Sequence, residues 1–330
     1  MPEPPVAIVP AAGVGTRLRP HTYTRPKVLL QVGGKPMLGH LLDELAALGI
    51  RKTVLIVGYM GERVVAYVRD HHPELEVEFV EQPERLGLGH AVSLAAPHAG
   101  SGPILIVLGD TLFEADLAAV LAGGTSSIGV KAVDDPKRFG IVEVDARGRV
   151  LRMVEKPDQP ASNLAITGVY YFSRGEPLFA ALRELQERGV RTRGEFQLTD
   201  GMQLLVERGE ILTTFPITGW YDCGKTETLL ETNRVLLDKR PASSRPAGAL
   251  VIPPVAVAEG AVVEACVLGP HVSIAAGARL SHAVIRNSIV NEHARIENAV
   301  LEGSVVGEEA VVRGSFRRVN LGDSSEVDVT

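Results

Sequence analysis

Cysteine is nearly missing from this chain of 330 residues, in which only Cys223 and Cys266 occur. Two thiols so far apart supply neither a disulfide framework nor a metal-ligand spacing, and they fit a reducing compartment. No apolar run approaches the roughly 20 residues that a membrane span needs, so no membrane partner is expected. A basic segment followed by an apolar core is also lacking after Met1–Pro5; without such a secretory signal, the expected location is cytoplasmic. Nor is positive charge in excess, since the formal net charge is -6. That balance argues against duplex DNA or RNA as a partner, while a small phosphorylated ligand needs only a local cationic site. The histidines His21, His40, His71, His72, His90 and His98 show no ligand spacing and receive no catalytic assignment. What is present, 45% hydrophobic and 22% charged residues, is the make-up of a soluble globular protein. A chain of this length buries enough surface to need no disulfide staples.

Short apolar runs alternate with helical patterns as far as residue 115. Residues 6–9, 53–57, 77–80 and 104–108 read as strands, and 37–48, 61–70 and 89–96 as helices. Such alternation implies an α/β fold, a mostly parallel sheet flanked by helices. Residues 127–172 are richer in strands, and helices are expected at 176–187, 199–208 and 226–237. A Pro/Ser/Gly-rich stretch then reads as a linker. Beyond it, small apolar residues recur every six positions: Val255, Ala261 and Val267, then Val272, Ala278, Val284, Val290 and Ile296, then Val300, Val306 and Val312. That period, with those residues turned inward, is the signature of a hexapeptide β-helix of roughly three coils. The expected organisation is a domain at 1–240, a linker at 241–251, a β-helix at 252–316 and a tail at 317–330.

Residues 9–37 carry the densest chemistry. After the first strand, Ala11, Ala12, Gly13 and Gly15 are small enough for backbone N–H groups to approach a phosphate chain closely. Thr16 offers a hydroxyl, Arg17 a bidentate guanidinium, and Lys27 a point charge for the same anion. Two better-known templates do not fit. Leu18 stands where a dinucleotide fingerprint needs its third small residue, and the Gly-Lys-Ser/Thr ending of a P-loop is missing. Asp110 closes the buried run "ILIVLGD". The carboxyl end of a parallel strand is where open α/β sheets bind ligands, although a lone Asp there also serves as a cap or turn residue.

The string resembles the N-terminal signature of the sugar nucleotidylyltransferase family, GxGTRLxPxTxxxPKxL. Every constant position is filled here, by Gly13, Gly15, Thr16, Arg17, Leu18, Pro20, Thr22, Pro26, Lys27 and Leu29. Further family-like segments follow in the family's order over about 240 residues. The resemblance implies a Rossmann-like sheet with a C-terminal left-handed β-helix. It also implies transfer of a nucleotidyl group from a nucleoside triphosphate to a sugar-1-phosphate. Asp110 and Asp222, in "GWYDCG", match the family's pair of carboxylates for Mg2+, a cation that takes a few hard oxygen ligands. Arg17, Lys27, Lys156 and Asp110 are the implied catalytic residues. Gln82 and Gly87, in "EQPERLGLGHAV", match the nucleobase-reading segment, and a Gln amide complements a pyrimidine edge.

On the sugar side the resemblance points to Gly140, Glu155, Lys156, Thr167, Tyr170 and Arg193. Arg193 is as readily a structural ion pair, and the lone Trp220 as readily core. The implied reaction is attack of an already anionic sugar phosphate on the α-phosphorus, which needs no general base; Arg17, Lys27, Lys156 and the cation would offset the mutual repulsion of the anions. Features of glucose-1-phosphate thymidylyltransferases ("TGVYYF") and of uridylyltransferases ("PAAG", "GLGHAV") are mixed. Glucose-1-phosphate with dTTP or UTP is therefore expected. A mannose-1-phosphate guanylyltransferase, a bifunctional N-acetylglucosamine-type enzyme and a non-catalytic regulatory subunit are the alternatives. Self-association is expected through the solenoid.

Overall fold

The computed structural model describes residues 4–240 and 242–314. The tail expected at 317–330, and the last two residues expected in the β-helix, lie outside the described residues. The chain divides into two compact units, one of Met1–Leu30 with Lys35–Leu229, the other of Gln31–Gly34 with Leu230–Thr330.

Alternation along the central strands builds the first unit. In β1 (Val6–Pro10), Ile8 faces one side of the sheet and Ala7 and Val9 the other, all without exposed surface. The same two-residue period recurs in β2 (Lys52–Val57), where Val54 and Ile56 join Ile8 while Leu55 joins Ala7. A strand covered on both faces must be apolar at every position, which is why these segments read as continuous hydrophobic runs. On one side lie α1 (Met37–Ala47), with Leu38, Leu41, Leu42 and Leu45, and α2 (Gly61–His71), with Val64 and Val68.

β3 (Glu76–Glu81) pairs with β2, and β4 (Ile104–Val107) with β1, all parallel. The helix expected at 89–96 is two: α3 (Leu88–Ser93) and a single turn, Ala96–Ala99. Pro97 has no N–H to continue the first helix, but its locked φ suits the first turn of a new one.

After β5 (Thr111–Glu114) and α4 (Leu117–Gly123) the sheet turns mixed. β6 (Ser127–Ala132), β7 (Gly140–Val144) and β8 (Val150–Glu155) lead into β9 (Leu164–Phe172), which runs antiparallel to β4, β6 and β7. Strand order is β8–β7–β9–β4–β1–β2–β3, with β6 against β9 and β10 (Thr213–Pro216) against β6. The β6–β9 register slips between Ile166 and Tyr170, so β9 carries a bulge at Thr167–Gly168. Bulges re-aim side chains and recur beside functional sites. Helices α5 (Glu176–Glu187) and α6 (Leu198–Glu207) cover the second face with Leu178, Leu182, Leu198 and Met202. Last comes β11 (Gly219–Asp222), paired with β5.

The longer segment of the second unit starts inside α7 (Thr226–Asp238). Its remaining strands stack in three parallel four-stranded faces, the arrangement of a β-helix. Val255 lies over Val272, and Val272 over Ser288. A coil is thus shorter than three full hexads, and four coils fit where about three were expected. The inward assignment is also corrected on one face. There Leu250, Val267, Val284 and Val300 stack outward, and Val300 is 73% exposed. Leu268 and Ile285, one position later, fill the interior. A six-residue period gives the spacing of equivalent positions but not which member of a three-residue strand points in.

Asn233 of α7 is wholly buried and serves three partners in this unit. Its Oδ1 accepts from Gly33 N (2.8 Å) and Ser273 Oγ (2.6 Å), while its Nδ2 donates to His271 O (3.3 Å). Asn233→Ala leaves all three without this side chain. An expected loss of about 1–3 kcal/mol would appear as a lower urea midpoint at unchanged slope.

Candidate active site

The glycine-rich loop leaves the sheet once Ala11 N has bonded Ile56 O at 2.8 Å. Three single 3-10 turns follow: Thr16–Leu18, His21–Tyr23 and Lys27–Leu29. Gly15 stands between loop and turns with φ +67°, in the left-handed region, and a Cβ there would lie 2.9 Å from the Cβ of Lys27. Glycine is required on both counts. Its carbonyl accepts from the buried Thr22 hydroxyl at 2.9 Å, which pins the loop.

The space left by Gly15 lets the Lys27 stem pass through the interior. Lys27 is 9% exposed, and its Nζ lies 2.5 Å from Asp110 Oδ2. Burial of an ammonium without such a partner would be costly. Asp110 sits in the turn after β4, and the next residue, Thr111, is the register partner of Asp222 in β11. Residues directly opposed in an antiparallel pair lie about 4.5–5.5 Å apart at Cα, so the strand pairing makes the two acids neighbours. Arg17 reaches the same place: Asp222 Oδ1 and Arg17 Nη2 lie 2.7 and 2.9 Å from the point where a Cβ on Gly224 would stand. Asp110 thus has Lys27 as its ion-pair partner, while Arg17 lies near Asp222 without forming an ion pair with it. Arg17 and Asp222 are both exposed, as is Thr16.

A cleft of about 350 Å³ runs from this cluster, lined by Ala11, Ala12, Gly13, Lys27, Asp110, Gln82 and Gly87. Gln82 is held at the end of β3, its N bonded to Val57 O at 2.8 Å and its side chain buried. Gly87 has φ +112° and faces Phe196 O, 2.6 Å from where a Cβ would be, so no side chain fits there. Arg85 and Glu195 also line the cleft. Sequence reading assigned them nothing; the one available signal was their place inside the segments "EQPERLG" and "RGEFQ".

Gly140 and Glu155 are register partners in β7 and β8. A Cβ on Gly140 would stand 3.0 Å from Glu155 Oε2. Both Glu155 oxygens are engaged, Oε2 by Thr199 Oγ1 (2.8 Å) and Oε1 by Lys156 Nζ (3.2 Å). Arg193 Nη2 donates to Lys156 O (2.7 Å) and to Asp158 Oδ1 (3.1 Å), so it braces the Lys156 backbone. Two candidates face inward rather than toward open surface. The Thr167 hydroxyl donates to Gly129 O at 2.8 Å and ties β9 to β6. Tyr170 is 3% exposed in the core, where burial, with a smaller contribution from the Glu155 charge, raises its phenol pKa. Trp220 packs on Phe139 at 4.9 Å between ring centroids.

Asp200, in the first turn of α6, was not assigned. Burial chiefly, and then the charge of Glu155, raise its pKa, against a hydrogen bond from Thr192; its Oδ2 is buried with no hydrogen-bond partner among the described residues. A carboxyl with a raised native pKa binds its proton more tightly folded than unfolded. Stability is therefore lost as pH rises from the ordinary aspartate value of about 3.9 through the raised native value. Asp200→Asn should accordingly stabilise the protein more at pH 7 than at pH 4, by urea titration at both. Equal effects at the two pH values would contradict this.

Among the described residues no three or more His, Cys, Asp or Glu side chains form a metal cluster, and no helix is long and apolar enough to cross a membrane. The model of the family described as Nucleotidyl transferase matches residues 6–239, and that of the GlmU-like C-terminal hexapeptide matches residues 237–318. A glucose-1-phosphate thymidylyltransferase of Streptomyces antibioticus is 36% identical over 291 residues, covering 84% of this chain and 80% of that one. A UTP–glucose-1-phosphate uridylyltransferase of Haloferax volcanii is 33% identical over 241 residues, covering 71% of this chain and 97% of that one. A solved UDP-glucose pyrophosphorylase in complex with UDP-glucose has a TM-score of 0.63 at 24% identity, over 72% of this chain and all of that one; this likeness concerns the fold.

Proposed function

The chain belongs to the nucleotidyl transferase family and is a sugar-1-phosphate nucleotidylyltransferase, and on that premise we propose that it joins glucose-1-phosphate to dTTP or UTP. The products are the nucleoside diphosphate glucose and pyrophosphate. The observation that carries this reading is the strand pairing of Asp222 against Thr111, beside Asp110, Lys27 and Arg17. It supports a phosphate site at the mouth of a cleft whose other end presents Gln82 and Gly87 to a base.

The sugar phosphate is an anion attacking the α-phosphorus of another anion, so repulsion and alignment make up most of the barrier. Lys27 and Arg17 place positive charge at the triphosphate, and Lys156, steadied by Glu155, places it at the incoming sugar phosphate. Glu155 and the close approach allowed by Gly140 position the sugar. Two carboxylates without imidazole or thiolate are the donor set of Mg2+, a cation that keeps water and substrate phosphate for its other positions. Asp110 and Asp222 would hold it. When bound, it supplies further positive charge to the phosphate oxygens.

We assign catalysis to residues 1–240, correct the end of the expected linker from 251 to 248 because Ala249–Val251 is already the first strand of a β-helix face, and take the left-handed β-helix as an element for assembly into a homo-oligomer. The test is pyrophosphate release from five triphosphates against a set of sugar-1-phosphates. Glucose-1-phosphate with dTTP or UTP is expected to give the highest rate. Release from no pair, or a clear preference for GTP with mannose-1-phosphate, would overturn the assignment.

A further inference from the structure

The side chain of Gln82 has two N–H donors and one carbonyl oxygen. Both donors are used: Nε2 lies 3.2 Å from Gly87 O and 3.1 Å from His90 Nδ1. A backbone carbonyl only accepts, so the amide must turn its NH2 toward Gly87. His90 Nδ1 must then be the second acceptor, with the ring neutral and its proton on Nε2. Gln82 Oε1 accepts a hydrogen bond from no described residue, and Gln82 lines the cleft. The N–H of Gly87 likewise has no acceptor among the described residues. The cleft therefore offers an acceptor at Gln82 and a donor at Gly87.

A keto pyrimidine such as uracil or thymine presents an N3–H donor between two carbonyl oxygens. Cytosine presents a bare N3 acceptor beside an amino group. The acceptor–donor pair matches N3–H and a flanking carbonyl of the first edge; cytosine held in the same position would set its bare N3 against Gln82 Oε1. We propose that His90 is a positioning residue for base specificity: by accepting the second Gln82 N–H it prevents the amide from turning, and so holds Oε1 toward a keto pyrimidine. The proposal rests on the reading above, in which Gln82 and Gly87 receive the base. Burial lowers the pKa of His90, against the opposing pull of Glu84, which keeps Nδ1 an acceptor.

The test compares kcat/KM for UTP and CTP, each with glucose-1-phosphate. In His90→Leu the ratio is expected to fall by about tenfold, the worth of one well-placed hydrogen bond. Most of that change should lie in the KM values. His90→Asn, which restores an acceptor, should keep the ratio near that of the unaltered enzyme, and His90→Lys, which presents a donor, should lower it furthest. Equal ratios in the Asn and Lys variants would overturn the proposal even if the Leu variant fails to fold. Gln82→Ala separates the two readings. If it collapses the ratio while all three His90 variants keep it, the role of His90 alone fails. If Gln82→Ala also leaves the ratio unchanged, the base site is elsewhere and both readings fail.

Discussion

Asp222→Asn is expected to lower kcat by about a hundredfold or more, the scale of losing one preorganised electrostatic contact to a reacting phosphate. The side chain is exposed at the end of β11, so its loss leaves core packing intact and the melting temperature should hardly move. Asn keeps the shape but not the charge, which separates cation holding from hydrogen bonding. Gln82→Ala is the matched comparison, because it removes a base contact remote from the reacting phosphorus. Its effect should fall mainly on KM and be much the smaller in kcat. Equal losses of kcat in the two variants would show that Asp222 does not act at the reacting phosphate.

Lys27→Met should produce a loss of similar size, for a different reason. Methionine keeps the buried stem that Gly15 makes room for, so the loop can still pack. The ammonium is lost, and Asp110 is left without its cation at 2.5 Å. Turnover is expected to drop by about 10²–10³-fold. Lys27→Arg should not rescue it, since a planar guanidinium does not replace a point charge at the end of a confined stem. Rescue by Arg to within a few-fold of the unaltered rate would mean that charge alone, and not the buried path past Gly15, sets the role of Lys27.

How far the sequence carries differs between parts of the site. The glycine-rich loop was legible because its chemistry is local: Gly13, Gly15, Arg17 and Lys27 lie within one short stretch. The apposition of Asp110 and Asp222 comes from a strand pairing across more than a hundred residues. No periodicity reports such a pairing, and only the family resemblance pointed to it. Side-chain direction was harder still. Thr167 and Tyr170 lie on a strand whose register slips at Thr167–Gly168, so simple alternation could not tell that one hydroxyl ties two strands together and the other is buried in the core. The β-helix shows the same limit, since the period of six was visible while the outward turn of Val267, Val284 and Val300 was not. The six expected helices lie where they were read, save that the one at 89–96 breaks after Ser93 ahead of Pro97, while α4 (Leu117–Gly123) was not anticipated.

The central claim is that two carboxylates held together by the β5–β11 pairing bind one divalent cation beside the cleft. Titration of Mn2+ followed by electron paramagnetic resonance, in the presence of a non-hydrolysable uridine triphosphate analogue, tests it without relying on turnover. Asp110→Asn and Asp222→Asn are each expected to weaken cation binding by about 10–100-fold. Binding unchanged in either variant would contradict the account.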